Sequence, residues 1–152
     1  MYMLPAKIKR GYDEFGRVAS VSAVSALAFV FSSLPGTAMI SGMTGTVGLG
    51  RSVAYEPRRD LIAAVSNPVN PVNPVLISAY DYVNDAAGRR VSRNADAFGY
   101  NARSEVISAA IGTNGYAYAY DPIGNRVWSA VNTLTNTYTA NRLNQYTLIS
   151  NP

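Results

Sequence analysis

The stretch "YAYDPIGNRVWSA", Tyr118 to Ala130, decides how the rest of the chain is read. Tyr118 and Tyr120 are two apart, which puts both rings on one face of a β-strand. Asp121-Pro122-Ile123-Gly124 then carries turn chemistry. An Asp at the first position accepts hydrogen bonds from the backbone N–H groups just ahead, Pro at the second has φ already set, and Gly at the fourth accepts a left-handed conformation. The competing reading makes Asp121 a catalytic acid, and recurrence separates the two.

The pattern recurs. Asp13-Glu14-Phe15-Gly16-Arg17-Val18 and Asp85-Ala86-Ala87-Gly88-Arg89-Arg90-Val91 repeat it: Asp, two variable residues, Gly, polar residues ending in Arg, then Val. Tyr100-Asn101-Ala102-Arg103-Ser104-Glu105-Val106 keeps the aromatic and an Asx, and Asn141-Arg142-Leu143-Asn144-Gln145-Tyr146 places Asn in both the Asp and the Gly slot. Two weaker turns are read at Leu34 to Thr37 and Pro57 to Asp60. Their first residues, with Asp13, Asp85, Asn101, Asp121 and Asn141, fall about twenty residues apart, the mark of a structural repeat. The longest step holds "NPVNPVNPV", Asn67 to Val75, which is expected to form a loop insertion over 66–75, because proline blocks ladder hydrogen bonds. A type I turn followed by a left-handed residue is a favoured hairpin connection. The spacing therefore predicts an all-β chain of about seven antiparallel hairpins.

Composition agrees. Of 152 residues 48% are hydrophobic and only 14% charged, against roughly 25% in ordinary soluble domains, while eleven Tyr, 12 Gly and 8 Pro suit short strands broken by turns. The chain has no cysteine and no histidine, which removes disulfides, Cys-rich zinc sites and every Ser-His or Cys-His arrangement. No cofactor or metal is expected. The net charge of +4 is spread without a basic stripe, which argues against a nucleic-acid partner. From Val18 to Gly50 the chain is uncharged, yet serines dilute its apolar run, so strands are expected there rather than a leader or a membrane span.

The units "GYDEFGRV", "YDYVNDAAGRRVS", "YAYDPIGNRV" and "YTANRLNQY" resemble the YD repeats of bacterial Rhs proteins, over nearly the whole chain. Similar repeats occur in the shells of insecticidal toxin complexes and in the animal teneurins. The resemblance implies a long sheet of hairpins that curves and spirals into a hollow shell, often around a toxin carried C-terminally. It implies that residues 1–152 are one YD-repeat segment, a fragment of a longer array from a secreted or cell-surface parent. Its expected partners are flanking repeats, a second copy of itself or an enclosed toxin domain; a carbohydrate is the alternative. The Asp-Pro-rich self-cleavage signature of some members is not found.

Under this reading Asp13, Gly16, Asp85, Gly88, Asn101, Asp121, Pro122, Gly124, Asn141 and Asn144 are turn residues, and no residue is assigned catalysis. "GTVGLGRS", Gly45 to Ser52, has P-loop spacing but Arg51 in the lysine position and no helix to follow, so a hairpin loop is expected. Asp81 with Asp85, and Glu56 with Asp60, straddle turns and read as solvated acids rather than a glycosidase pair. Arg17, Arg89, Arg90 and Arg126 recur after the turns and are expected to pair with acids of the neighbouring hairpin or to stack on its tyrosines. The repeat aromatics Tyr80, Tyr82, Tyr100, Tyr118 and Tyr120, with Trp128, Tyr138 and Tyr146, are expected to pack across strands, an arrangement that a sugar could also use.

Overall fold

The computed structural model describes residues 7–23, 28–46, 48–69 and 75–151. Among them are fourteen strands and no helix, hence none long and apolar enough to cross a membrane. The first unit, Met1–Asp81, contains β1 (Ile8–Tyr12), β2 (Val18–Ala23), β3 (Ala28–Ser33), β4 (Ile40–Gly45), β5 (Gly50–Tyr55) and β6 (Ile62–Val69). The boundary falls inside β7 (Val75–Asn84). The second unit, Tyr82–Pro152, continues with β8 (Arg90–Arg93), β9 (Asp96–Tyr100), β10 (Val106–Ile111), β11 (Asn114–Tyr120), β12 (Arg126–Val131), β13 (Leu134–Ala140) and β14 (Tyr146–Ser150). Each strand is hydrogen-bonded to the next in chain order, always antiparallel, so among the described residues the sheet is open with β1 and β14 as its edges. The expected hairpin array is the observed fold.

The turns set the strands' register. Gly16, Gly88 and Gly124 have φ of 74°, 83° and 93°, and the same slot holds Ser104 at 64° and Asn144 at 59°. In each, the N–H of that residue closes the turn on the carbonyl three residues earlier, as from Gly124 to Asp121 at 3.1 Å. The two weaker turns differ. Gly36 and Arg58 carry the positive φ, one place earlier, as a type II turn with proline at its second position requires. The second of these turns closes from the Arg59 N–H to the Glu56 carbonyl, so it begins one residue before Pro57.

Each of the seven turns is followed by a bulge, which the sequence did not announce. Tyr120 faces Arg126 and Ala119 faces Trp128, leaving Val127 as the extra residue. Ala19, Ser41, Ala63, Val91, Ile107 and Thr147 are extra in the same way, each in the strand that leaves its turn. A bulge bends its strand and increases the local twist.

The hairpins are joined at the other end by tighter connections. Asn94-Ala95, Gly112-Thr113 and Asn132-Thr133 are two-residue links whose first residue alone has positive φ, 51°, 58° and 54°, the pattern of a type II′ turn. Between β4 and β5 the link is closed by the Gly45 N–H on the Leu49 carbonyl, with Gly48 at φ 78°, and β5 follows Leu49 directly. The hairpin-loop reading of "GTVGLGRS" holds, and Arg51 and Ser52 are strand residues. Of the insertion expected over 66–75, Ser66 to Val69 lie in β6 and Val75 opens β7, while 70–74 lie outside the described residues. Pro68 is tolerated because it sits at a register irregularity.

Among the described residues only Val53, Val65, Ala109 and Ser129 are buried. Val53 and Val65 face each other across β5 and β6, and among the described residues no second layer covers either unit. Backbone ladders and cross-strand pairs hold each unit, in place of a two-layer core.

Candidate functional site

The Asx side chain that opens five of the turns does the same work each time. Asp13 Oδ1 accepts from the N–H of Phe15 and of Arg17, both at 2.9 Å. Asp85 Oδ1 accepts from Ala87 and Arg89, Asn101 Oδ1 from Arg103 and Glu105, Asp121 Oδ1 from Ile123 and Asn125, and Asn141 Oδ1 from Leu143 and Gln145, all between 2.8 and 3.1 Å. Two backbone donors that would otherwise need water are thereby satisfied in each turn.

The remaining atom of the same group meets the side chain four residues on, and its partner is matched in kind. Where the first residue is Asp, an acceptor, the partner donates: Arg17 Nε at 2.6 Å, Arg89 Nε at 2.7 Å and Asn125 Nδ2 at 2.9 Å. Where it is Asn, whose Nδ2 donates, the partner accepts: Glu105 Oε2 at 2.5 Å and Gln145 Oε1 at 3.0 Å. Arg17 and Arg89 thus pair with the acid of their own turn, not with one on the neighbouring hairpin, although Arg89 also stacks on Tyr100 of the next hairpin, 5.1 Å from its ring centre, as expected. The reason is reach, since the five-residue loop brings the first and last side chains together.

The guanidiniums do touch the neighbouring turn, through its backbone. Arg17 Nη1 donates to the Thr37 carbonyl, and Arg89 Nη1 to the Asn101 carbonyl at 3.1 Å. Arg103 holds Glu105 Oε2 at 2.8 Å and spans to the carbonyls of Asp121, at 2.7 Å, and Pro122. Asn125 Nδ2 approaches Asn144 Oδ1 at 3.4 Å. The turns of the second unit are therefore tied in a row, as are the first two turns of the first unit.

These bonds govern the acids. The Arg89 backbone N–H, with its side chain, holds the Asp85 carboxyl below the usual aspartate range. At Asp121 the Asn125 side-chain amide is the largest cause, helped by backbone N–H groups of the turn, and at Asp13 desolvation pushes upward but the Arg17 and Phe15 bonds outweigh it. A carboxylate kept ionised, with both oxygens engaged, is a poor proton donor and a poor base. Glu56 pairs with Arg59 at 3.1 Å, and Asp81 stands in β7 opposite Ala64.

In the second unit Phe98 and the tyrosines share one face. Phe98 and Tyr116 flank Ala109, and Tyr118 faces Ser129, whose hydroxyl meets Tyr138 at 3.0 Å. The Arg90 guanidinium lies 3.6 Å from the Tyr82 ring centre, and that of Arg126 lies 4.8 Å from Tyr118 and 5.8 Å from Tyr138. Arg90 and Arg126 occupy one slot; Arg126 reaches Tyr138 of the neighbouring hairpin as expected, but the rings nearest to both, Tyr82 and Tyr118, belong to their own hairpins. Three tyrosines also close a gap at the bulges: the hydroxyl of Tyr55 donates to the Ile40 carbonyl at 2.9 Å, Tyr100 to Arg90 at 2.7 Å and Tyr120 to Val106 at 3.0 Å. Tyr146 packs tilted against Tyr138 at 5.4 Å. In the first unit Tyr80 faces Val65, again a ring over an aliphatic partner. Trp128 is on the opposite face of its strand, between Ala119 and Thr137, and is 36% exposed.

The sequence matches no protein-family model and no curated protein. The structure is similar to solved ones. One is the crystal structure of TcdB2-TccC3-TEV, with TM-score 0.60 and 14% identity, covering 93% of this chain and 10% of that one. Another is the Photorhabdus luminescens Tc holotoxin pore with a mutated TccC3, with TM-score 0.63 and 13% identity, covering 94% of this chain and 10% of that one. The chain has the fold of a segment of these toxin-complex proteins. It spans about a tenth of their length.

Proposed function

We propose that the chain is a YD-repeat segment of an Rhs-type shell, a length of wall in a secreted or cell-surface parent that encloses or presents a toxin, with no chemistry of its own. The observation that carries this reading is the fate of the recurrent Asx. The same two backbone bonds and a matched i+4 partner recur in five turns, which uses up the groups that catalysis would need. The fold shared with toxin-complex proteins supports it. The working partners are then flanking repeats and an enclosed domain, with neither metal nor cofactor. The test is an assay panel for glycosidase, protease and nucleotidase turnover on the wild type beside Asp121→Ala. No turnover in either protein is expected. A turnover abolished by the substitution would return Asp121 to the role of a catalytic acid.

A carbohydrate module is the second reading. The hydroxyls of Tyr116 and Tyr118 have no hydrogen-bond partner among the described residues, on the face that carries the other rings. Glycan-array binding lost in Tyr118→Ala would favour it.

A further inference from the structure

Three tyrosines stand immediately before a turn, and each reaches back to the same place. Tyr55, Tyr100 and Tyr120 donate to the carbonyls of Ile40, Arg90 and Val106, each the first residue of the strand that left the preceding turn. Tyr12 is in that position too, one residue before Asp13. Its hydroxyl has no partner among the described residues and it is 60% exposed, and among those residues β1 has no strand on its outer side. At the other edge, Tyr146 opens β14 after the last turn, and no tyrosine hydroxyl among the described residues meets its carbonyl. One edge has the donor and the other the acceptor.

We propose that a second copy of this chain docks head to tail, laying its β1 along β14 with its Tyr12 hydroxyl on the Tyr146 carbonyl. The inference rests on the wall reading for its repeat logic and names the partner. The register follows from the chain's own rule. Ser92, seven past Asp85, faces Ala97, four before Asn101; Ser108 faces Ala117 and Trp128 faces Thr137 at the same two offsets. Leu148 is seven past Asn141 and Lys9 is four before Asp13, so these two face each other across the junction, with Ile149 opposite Ile8.

Faces and charges agree with this register. Ile149 is on the face of Tyr138, and Ile8 on the face that Arg10 shares with Val21 and Phe29, so aromatic and aliphatic groups continue across the seam. β14 is exposed along its whole length and has no charged residue to repel a strand. The last turn offers Arg142 where the incoming first turn brings Asp13 and Glu14, as Arg103 already spans from one turn to the next. Such a contact is heterologous and repeats without limit unless it closes a ring.

The chain has no cysteine, so single-cysteine variants report the junction directly. Facing residues of antiparallel strands lie within disulfide range. Under mild oxidation, Lys9→Cys mixed with Leu148→Cys should give a disulfide-linked dimer, and either variant alone should give less than about a tenth as much. Sedimentation velocity over a concentration series should show association, weakened about three- to tenfold by Tyr12→Phe. Equal cross-linking in the single variants would mean β1–β1 or β14–β14 pairing and overturn the proposal, as would no cross-link, a folded monomer at every concentration, or a Tyr12→Phe protein that associates unchanged. A folded monomer leaves the wall reading standing, whereas turnover that depends on Asp121 removes that reading whatever the chain's mass.

Discussion

One slot in the repeat gives a quantitative test, because different residues fill it in different turns. Gly124 has φ 93° and Ser104 has φ 64° in equivalent places. A Cβ built on Gly124 meets nothing closer than Glu105 Oε1 at 3.4 Å, an ordinary contact, so any cost of a side chain is a backbone cost. A left-handed residue other than Gly costs ~1–2 kcal/mol, and Gly itself gives back ~0.5–1 kcal/mol as extra freedom in the unfolded chain. The difference predicts that Gly124→Ser destabilises by about 0.5–1 kcal/mol and that Ser104→Gly stabilises by about 0.5 kcal/mol, its 3.5 Å contact with Arg89 Nη1 being too long to matter. Gly124→Val should cost ~1–2 kcal/mol or more, since a β-branched residue is worse placed there, and Gly124→Asn only a few tenths, because Asn144 already sits at φ 59° in the last turn. Urea unfolding with a constant m-value is the measurement, and each kcal/mol should appear as about 4–8 °C in Tm for a unit of this size. Equal losses from Val and Asn, or a Ser104→Gly protein less stable than the wild type, would refute the left-handed assignment.

Tyr120→Phe strands the Val106 carbonyl and should cost about 1 kcal/mol, whereas Tyr118→Phe removes an unpartnered hydroxyl and should be near neutral by the same urea assay. Arg103→Met breaks the tie between two turns and should lower stability by about 1 kcal/mol, with proton exchange accelerating at the N–H groups of Ile123 and Gly124. Acid should loosen the turns. The folded carboxyls of Asp13, Asp85 and Asp121 sit below the ordinary 3.8, so their contribution is complete above that value and lost as pH falls through the lowered ones. A series of urea midpoints should fall over that interval, and Asp85→Asn should flatten the slope. An Asp85→Asn slope equal to that of the wild type would refute the linkage.

The five Asx turns were legible because their chemistry is local. Asp121, Pro122 and Gly124 each have a turn-forming reason to be where they are, and recurrence marked them as parts of one repeated turn. Asn in both slots of the last copy was enough to find it. Ser104 gave no such signal, since serine is not a residue that favours positive φ, and only its place in the period located it. The bulges were invisible. Ala19, Ser41, Val127 and Thr147 share no side-chain property, and the extra residue is imposed by how a five-residue loop returns to the ladder. The tight links at Asn94, Gly112 and Asn132 did leave a trace, an Asn or Gly about half a period after each turn, but their neighbours Ala95, Thr113 and Thr133 lack the usual Asn-Gly form. The acid partner of Arg17 and Arg89 was misread because i+4 proximity belongs to a loop whose closure the spacing alone does not reveal.

The matching of donor to acceptor within each turn restricts how such a chain can drift. Converting the Asp85–Arg89 turn into the Asn101–Glu105 kind by single steps passes through a mismatch, either two donors or two carboxylates face to face. Asp121–Asn125 shows the passage between them. An amide can rotate to present oxygen or nitrogen, so Asn125 serves an acid today and would serve the amide introduced by Asp121→Asn equally well. Turns of this mixed kind are neutral stepping stones, through which a lineage of hairpins could exchange its charges for amides one substitution at a time without any copy losing its closure.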